Sequence, residues 1–229
     1  MKIFRLLHRF LVRQTMPSAA TRYYDKLISA VQYDYLDHFC QQIVSLAQPG
    51  FNILDIGTGT GQLPVMLAKQ LPPNCHITAV DLSKSCIRTA QQNSKDSVTT
   101  GGIDFYCSDI LKLDLVKSFD LIISSCALHH WRYPRKVFRK ASTLLSPHGR
   151  VIILDDYADV PTQTKKEWID LVQSKCKAGP LFRTVFSFES KYLAYSRKEL
   201  ENIILPLDLT LEEFTKDKVF FTAILVKDK

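Results

Sequence analysis

The chain has 229 residues, of which 46% are apolar and 23% are charged, as in an ordinary soluble globular protein. This length allows a full hydrophobic core, so a single domain is expected. The net charge of +7 raises the question of a nucleic acid or an anionic membrane as partner. Apart from the N-terminus, the basic residues are spread along the chain, and this weakens the case for either partner.

The cysteines are scattered and include no C-x-x-C pair, and several lie in apolar runs. They are Cys40, Cys75, Cys86, Cys107, Cys126 and Cys176. This pattern favours buried free thiols in a reducing compartment over disulfides or zinc ligands. A cytoplasmic location is therefore expected, and no metal site is predicted.

Residues 1–20 are predicted to form a basic amphipathic helix and a linker. No Asp or Glu precedes Asp25, and basic residues from Lys2 to Arg13 recur at helical spacing. The helix is too short and too charged to span a bilayer. Three interpretations stay open: peripheral contact with an anionic membrane, an organellar transit segment, and a helix packed on the domain with its arginines solvated.

The segment 52–61 reads N-I-L-D-I-G-T-G-T-G and predicts a buried strand, a glycine turn and then a helix. Gly57, Gly59 and Gly61 permit positive φ and let a ligand approach the bare backbone. The dinucleotide pattern G-x-G-x-x-G fails because Gln62 stands where its third glycine belongs, and no G-K-[ST] follows.

The pattern D-x-G-x-G-x-G that begins at Asp55 instead resembles the first motif of class I S-adenosylmethionine-dependent methyltransferases. The resemblance implies that this turn holds the methionine part of the cofactor, S-adenosyl-L-methionine. It implies a role in cofactor binding for five residues: Asp55, Gly57, Thr58, Gly59 and Gly61. An ordinary structural turn is the alternative.

Two further strands end in acidic residues. The strand from His76 to Val80 leads to Asp81, about two dozen residues after the glycine turn, where a carboxylate can accept both ribose hydroxyls. Leu82 follows and is suited to contact adenine. A third strand over 103–107 leads to Asp109 and Ile110, which the resemblance places in the cofactor site, with Asp109 accepting a hydrogen bond from the adenine amino group. A helix cap is the alternative role of Asp109.

The fourth strand begins at Phe119 and opens the motif F-D-L-I-x-S-x-x-A-L-H-H-W. This motif resembles the fourth motif of the small-molecule methyltransferases often called type 11, and it adds Ser125 to the implied cofactor site. His129 and His130 are the candidate general bases, with structural packing as the alternative. Leu145-x-Pro147-x-Gly149 also resembles the family and is predicted to be the turn before the fifth strand.

The resemblance covers residues 21–229, which are predicted to be one S-adenosylmethionine-dependent methyltransferase domain. Within it, 158–195 is expected to be an insertion that covers the substrate, and Ala20 with Tyr24-Asp25 approximates an element that closes over the cofactor. Ser196-x-x-Glu199 predicts a helix start. A C-terminal hairpin completes the predicted fold class: a Rossmann-like α/β fold with a seven-stranded, mostly parallel sheet, a C-terminal antiparallel strand, and helices on both faces.

The predicted function is methyl transfer to O, C or N of a small-molecule acceptor. Asp155, Asp156 and Tyr157, after the fifth strand, could position an amine or a hydroxyl. An RNA methyltransferase is the enzymatic alternative, although Ser124-Ser125-Cys126-Ala127 stands where base-amino methylation typically uses N-P-P-Y. A non-catalytic binding or assembly protein of the same fold is the other alternative, and a hydride-transfer enzyme comes last.

Overall fold

The computed structural model describes Thr21 and residues 33–95, 102–176 and 192–228. These residues contain seven strands, namely β1 (Asn52–Ile56), β2 (His76–Asp81), β3 (Gly102–Cys107), β4 (Phe119–Ser125), β5 (Leu145–Asp156), β6 (Leu209–Asp217) and β7 (Phe220–Lys227). The strands form one sheet in the order β3-β2-β1-β4-β5-β7-β6. Strands β1 to β5 pair in parallel, whereas β7 is antiparallel to both β5 and β6. The predicted fold class is therefore confirmed.

Helices cover both faces of the sheet. They are α1 (Tyr33–Leu46), α2 (Gln62–Ala68), α3 (Lys84–Lys95), α4 (Pro134–Leu144), α5 (Thr162–Cys176) and α6 (Arg197–Ile204), with a 3-10 turn at Leu128–His130. The capping box predicted at the start of α6 is present, since the Ser196 hydroxyl accepts from the N–H of Glu199 and the Glu199 carboxylate accepts from the N–H of Ser196. Pro134 occupies the first turn of α4, where its missing N–H has no cost.

The core lies in two layers, one on each face of the sheet. Ile53 and Leu54 are adjacent in β1 and point to opposite faces, as strand geometry requires. Ile53 packs in the layer of Phe39 from α1 and Trp168 from α5, and Leu54 in the layer of Phe138 from α4. This double burial explains why β1 reads as an apolar run rather than an alternating one.

The structure corrects the predicted turn at 145–149. Strand β5 already begins at Leu145, which pairs with Phe119, and the register between β4 and β5 shifts before Leu121 pairs with Arg150. This irregularity lets the strand include Pro147, which cannot donate to a regular ladder. Strand β3 begins at Gly102, one residue before the start of the predicted third strand.

Several predictions fall outside the described residues. They concern the basic helix of residues 1–20, the element around Tyr24-Asp25, and residues 177–191 of the predicted cover. Among the helices that the structure describes, none combines the length and the apolarity needed to cross a membrane.

Candidate functional site

The predicted site residues follow the carboxyl ends of adjacent parallel strands. Strands β3, β2, β1, β4 and β5 are neighbours in the sheet and run in one direction, so their carboxyl ends share one edge. Ligands bind at this edge in open α/β sheets. The sequence-predicted residues of β1, β2 and β4, together with Asp109 after β3, are thereby brought to one side of the molecule.

The glycine turn has the backbone conformation that its sequence predicts. Gly57, Gly59 and Gly61 all have positive φ, at 80°, 54° and 76°. The N–H of Gly57 donates to the carbonyl of Val80 at 2.8 Å, and the N–H of Gly59 donates to Oδ2 of Asp81 at 2.9 Å. The turn after β1 is thus attached to the end of β2.

Two of these glycines also permit close packing. A Cβ on Gly57 would lie 2.5 Å from the Cβ of Ala127, and a Cβ on Gly61 would lie 2.7 Å from the Cβ of Ala90 and 3.0 Å from its Cα. Both distances are too short for real carbon contacts. Because Gly57 has no side chain, the glycine turn can pack closely against the segment that follows β4. The lack of a side chain at Gly61 likewise allows the turn to pack against α3.

Buried oxygen atoms without partners lie beside this turn. Asp55 is fully buried, and neither of its carboxylate oxygens accepts a hydrogen bond from a described residue. The buried hydroxyls of Thr58 and Thr60 likewise have no hydrogen-bond partner among the described residues. Burial raises the pKa of Asp55 to about 7, the nearby Thr58 hydroxyl lowers it, and the charge of Asp81 raises it. Such orphaned atoms are rare in folded proteins unless a ligand or water satisfies them.

The Asp81 carboxylate is fixed by two backbone donors. Its Oδ2 accepts from Gly59, and its Oδ1 accepts from the N–H of Ser83 at 2.7 Å. Burial raises the pKa of Asp81, while these two N–H groups lower it. Leu82, the next residue, is 40% exposed. A half-buried acid and an exposed apolar side chain thus stand next to each other at the end of β2.

The two carboxylate oxygens of Asp109, which follows β3, differ in their hydrogen bonds. Oδ1 of Asp109 accepts from the N–H of Leu111 at 3.0 Å, which is the turn-capping role, whereas Oδ2 accepts from none of the described residues. One carboxylate oxygen therefore stays available for a ligand. Ile110 is buried in the layer that contains Leu54 and Val80.

The end of β4 contains a contact that sequence reasoning missed. Ser125 is half-buried at the last position of the strand, but the hydroxyl of its neighbour Ser124 donates to the carbonyl of Ile56 at 2.7 Å and joins β4 to β1. Cys126 then adopts a positive φ of 49°, and its N–H donates to the carbonyl of Leu154. Burial raises the pKa of its thiol.

His129 and Asp155 form a buried pair. Nδ1 of His129 lies 2.7 Å from Oδ1 of Asp155, both side chains are buried, and the N–H of His129 lies 3.4 Å from Oδ2 of the same carboxylate. Asp155 also accepts from the N–H of Asp156 at 2.8 Å. The ring of His130, which is exposed, lies 4.0 Å from that of His129 between centroids. The two histidines therefore differ in burial and partners.

The sequence offered one signal for this pair. Asp155 lies near the end of β5, and His129 follows the neighbouring parallel strand β4, whose register places Ser125 beside Leu154. Sequence reasoning treated the acid and the histidine as separate candidates because the register was unknown. Across the described ranges, no three His, Cys, Asp or Glu side chains converge in a way that could hold a metal ion.

Comparison with known proteins identifies what kind of domain this is. A protein-family model described as a methyltransferase domain matches residues 47–204, which is more than half of the chain. The chain is 41% identical over 76 residues to a tRNA1(Val) (adenine(37)-N6)-methyltransferase of Haemophilus influenzae, covering 32% of this chain and 33% of that protein. It is 36% identical over 100 residues to a malonyl-[acyl-carrier protein] O-methyltransferase of Priestia megaterium, covering 44% and 35%.

These matches cover about a third of the length of each of the two relatives. Among solved structures, the plantazolicin methyltransferase BpumL, in complex with a monoazolic desmethylPZN analog and SAH, superposes with a TM-score of 0.70. The superposition covers 100% of this chain and 96% of BpumL at 15% identity. At that identity, the likeness establishes a shared fold.

Proposed function

This chain belongs to the methyltransferase-domain family, and from that premise we propose that it transfers a methyl group from S-adenosylmethionine to O, C or N of a small-molecule acceptor. The observation that carries the proposal is the attachment of the glycine turn to Asp81. This carboxylate, fixed by the N–H groups of Gly59 and Ser83, stands at the strand end where ribose hydroxyls are bound in related sheets.

The residues at the carboxyl edge fit this cofactor. Its methionine part has an ammonium group, and the unpartnered oxygens of Asp55 and Thr58 are buried beside the glycine turn. Asp81 would take the ribose, whereas Leu82 and the available oxygen of Asp109 would take the adenine. Burial of the exposed Leu82 side chain by a base would stabilise the complex. BpumL, which has the same fold, holds SAH in its solved structure.

The chain's own residues then have to position the acceptor and exclude water. When bound, S-adenosylmethionine supplies a methyl group activated by a sulfonium leaving group. A general base is needed only for an acceptor that keeps its proton at neutral pH. The Asp155 carboxylate accepts a hydrogen bond from the Nδ1–H of His129. In a neutral imidazole with its proton on Nδ1, the lone pair is on Nε2. We propose that this pair fixes the segment after β4 and that His129 or the exposed His130 provides the base when one is required.

Titration calorimetry with S-adenosylhomocysteine, with NAD as the comparison ligand, tests the proposal. We expect saturable binding of S-adenosylhomocysteine and none of NAD. Asp81→Asn should weaken the binding roughly tenfold to a hundredfold, because a charge-assisted acceptor contributes about 1.5–3 kcal/mol. Asp104→Asn is the matched control, since Asp104 is an exposed acid on the neighbouring β3. Binding of NAD instead, or no binding at all, would contradict the methyltransferase proposal.

RNA methylation is a second candidate, and the matched tRNA methyltransferase favours it. The net charge of +7 points the same way. Binding of tRNA that falls steeply with salt, together with methyl incorporation into tRNA, would support this candidate. Methyl incorporation only into small-molecule or carrier-bound acceptors would exclude it.

A further inference from the structure

Within the described residues, the positive charge is concentrated in one segment. Residues 121–154 contain six Lys and Arg and no Asp or Glu. All other described residues together contain 14 Lys and Arg against 20 Asp and Glu, a net charge of −6. The described part of the chain therefore has one positive region on an acidic background.

Helix α4 carries most of this positive region on one face, formed by Arg135, Lys136, Arg139 and Lys140, which we name the basic face. Helical geometry brings these positions to one side, while Phe138 and its apolar neighbours face the core. Arg135 is fixed by its hydrogen bonds to the carbonyls of Asn202 and Ile203.

The other three cations have no acidic partner within the described ranges. The side chains of Lys136, Arg139 and Lys140 form no ion pair there, and the ammonium group of Lys136 lies 4.8 Å from the ring centre of the exposed Tyr133. Arg150, the remaining cation of the segment beyond α4, pairs instead with Glu212. The basic face therefore keeps its charge available for a partner.

The basic face begins at the edge where methyl transfer is proposed. Helix α4 starts at Pro134, four residues after the exposed His130. Its 11 residues extend for roughly 16 Å away from the carboxyl edge. A partner bound along α4 would consequently be adjacent to the entrance of the proposed acceptor site.

We propose that the basic face docks a small acidic protein of the acyl-carrier type, which delivers the methyl acceptor on its flexible tether to the carboxyl edge. This inference rests on the proposed methyl transfer and adds a partner to it. Cations one helical turn apart match the acidic side chains of a single docking helix, and charge complementarity of this kind directs orientation and raises the association rate.

The same charges favour a carrier protein over a nucleic acid. RNA and DNA binding relies on a track of cations that contacts many phosphates, on the order of 6–10. Among the described residues, the cations of the basic face occupy one short helix, and the described residues outside 121–154 carry a net charge of −6, which opposes binding of a long polyanion there. A compact acidic protein can contact the helix alone.

The test is the binding of the malonyl-loaded acyl carrier protein of Priestia megaterium to the full chain by surface plasmon resonance. Binding is measured between about 50 and 200 mM salt. Lys136→Glu with Arg139→Glu reverses two charges of the basic face. Arg88→Glu with Lys95→Glu is the matched control, because these residues are exposed cations on α3. A tRNA is the second probe, and S-adenosylhomocysteine binding verifies folding of each variant.

We expect saturable carrier binding that weakens with salt, falls about tenfold or more in the α4 variant, and stays within about twofold in the α3 control. No carrier binding, equal loss in both variants, or tighter binding of tRNA than of the carrier would overturn the docking proposal. The binding of S-adenosylhomocysteine to the unmodified protein shows which of the two proposals has failed. If the unmodified protein fails to bind it, the proposed methyl transfer fails whatever the carrier does; if it binds, a negative carrier result counts against docking alone.

Discussion

Gly57→Ala should destabilise the protein through a specific collision. At a φ of 80°, the new side chain costs about 1–2 kcal/mol in backbone strain. Its Cβ would lie 2.5 Å from the Cβ of Ala127, and overpacking of this kind costs roughly 1–3 kcal/mol more. We expect the free energy of unfolding in urea to fall by about 2–5 kcal/mol in total. The affinity for S-adenosylhomocysteine should fall as well, because the turn must move.

Two variants isolate the collision from the strain. Gly50 has a φ of 85°, and a Cβ added there would have no atom within 4 Å, so Gly50→Ala should cost only the backbone strain and leave cofactor affinity unchanged. Ala127→Gly removes the opposing Cβ and should restore part of the stability lost in Gly57→Ala. If Gly57→Ala is as mild as Gly50→Ala, or if Ala127→Gly restores nothing, the close approach of the turn to the segment after β4 is refuted.

Two further predictions concern buried acids. Asp155→Ala should lower the free energy of unfolding by about 3–5 kcal/mol, because it leaves His129 without its buried partner. Asp104→Ala, the control, removes the exposed partner of His76 and should change the free energy of unfolding by about 1 kcal/mol or less. Equal effects of the two substitutions on unfolding in urea would contradict this prediction. The folded-state pKa of Asp55, about 7, lies above its ordinary value of 3.8, so the folded state binds the proton more tightly, and stability should fall as pH rises between these values by up to about 1.4 kcal/mol per pH unit. Unfolding measured against pH should be flatter for Asp55→Asn, and an unchanged slope would count against the buried, unpartnered carboxylate.

The sequence predicts the carboxyl edge well because local signals determine it. An apolar run followed by glycines specifies a buried strand and its turn, and an acid directly after a strand stands at that edge in any parallel sheet. For this reason Asp81 and Asp109 could be located without a structure. Whether Asp109 serves as a turn cap depended on its hydrogen bonds, and the structure shows that Oδ1 accepts from the N–H of Leu111 while the ligand role of Asp109 stays a prediction.

Contacts between distant residues could not be predicted in the same way. The pairing of His129 with Asp155 depends on the register of β4 against β5, and the irregularity near Phe119 hides that register from the sequence. The choice between Ser124 and Ser125 at the end of β4 depends on which hydroxyl faces β1. A strand's side-chain alternation gives the answer only once the register is known.

The distribution of charge explains how a protein with a net charge of +7 can suit a cationic cofactor. Acids stand at the ends of β2 and β5 and within β1, so the carboxyl edge favours the ammonium and sulfonium charges of the proposed methyl donor. The demethylated product lacks the sulfonium charge and should be held less strongly by the same acids. Within the described residues, cations without an acidic partner are grouped on α4, where they are proposed to attract an acidic carrier.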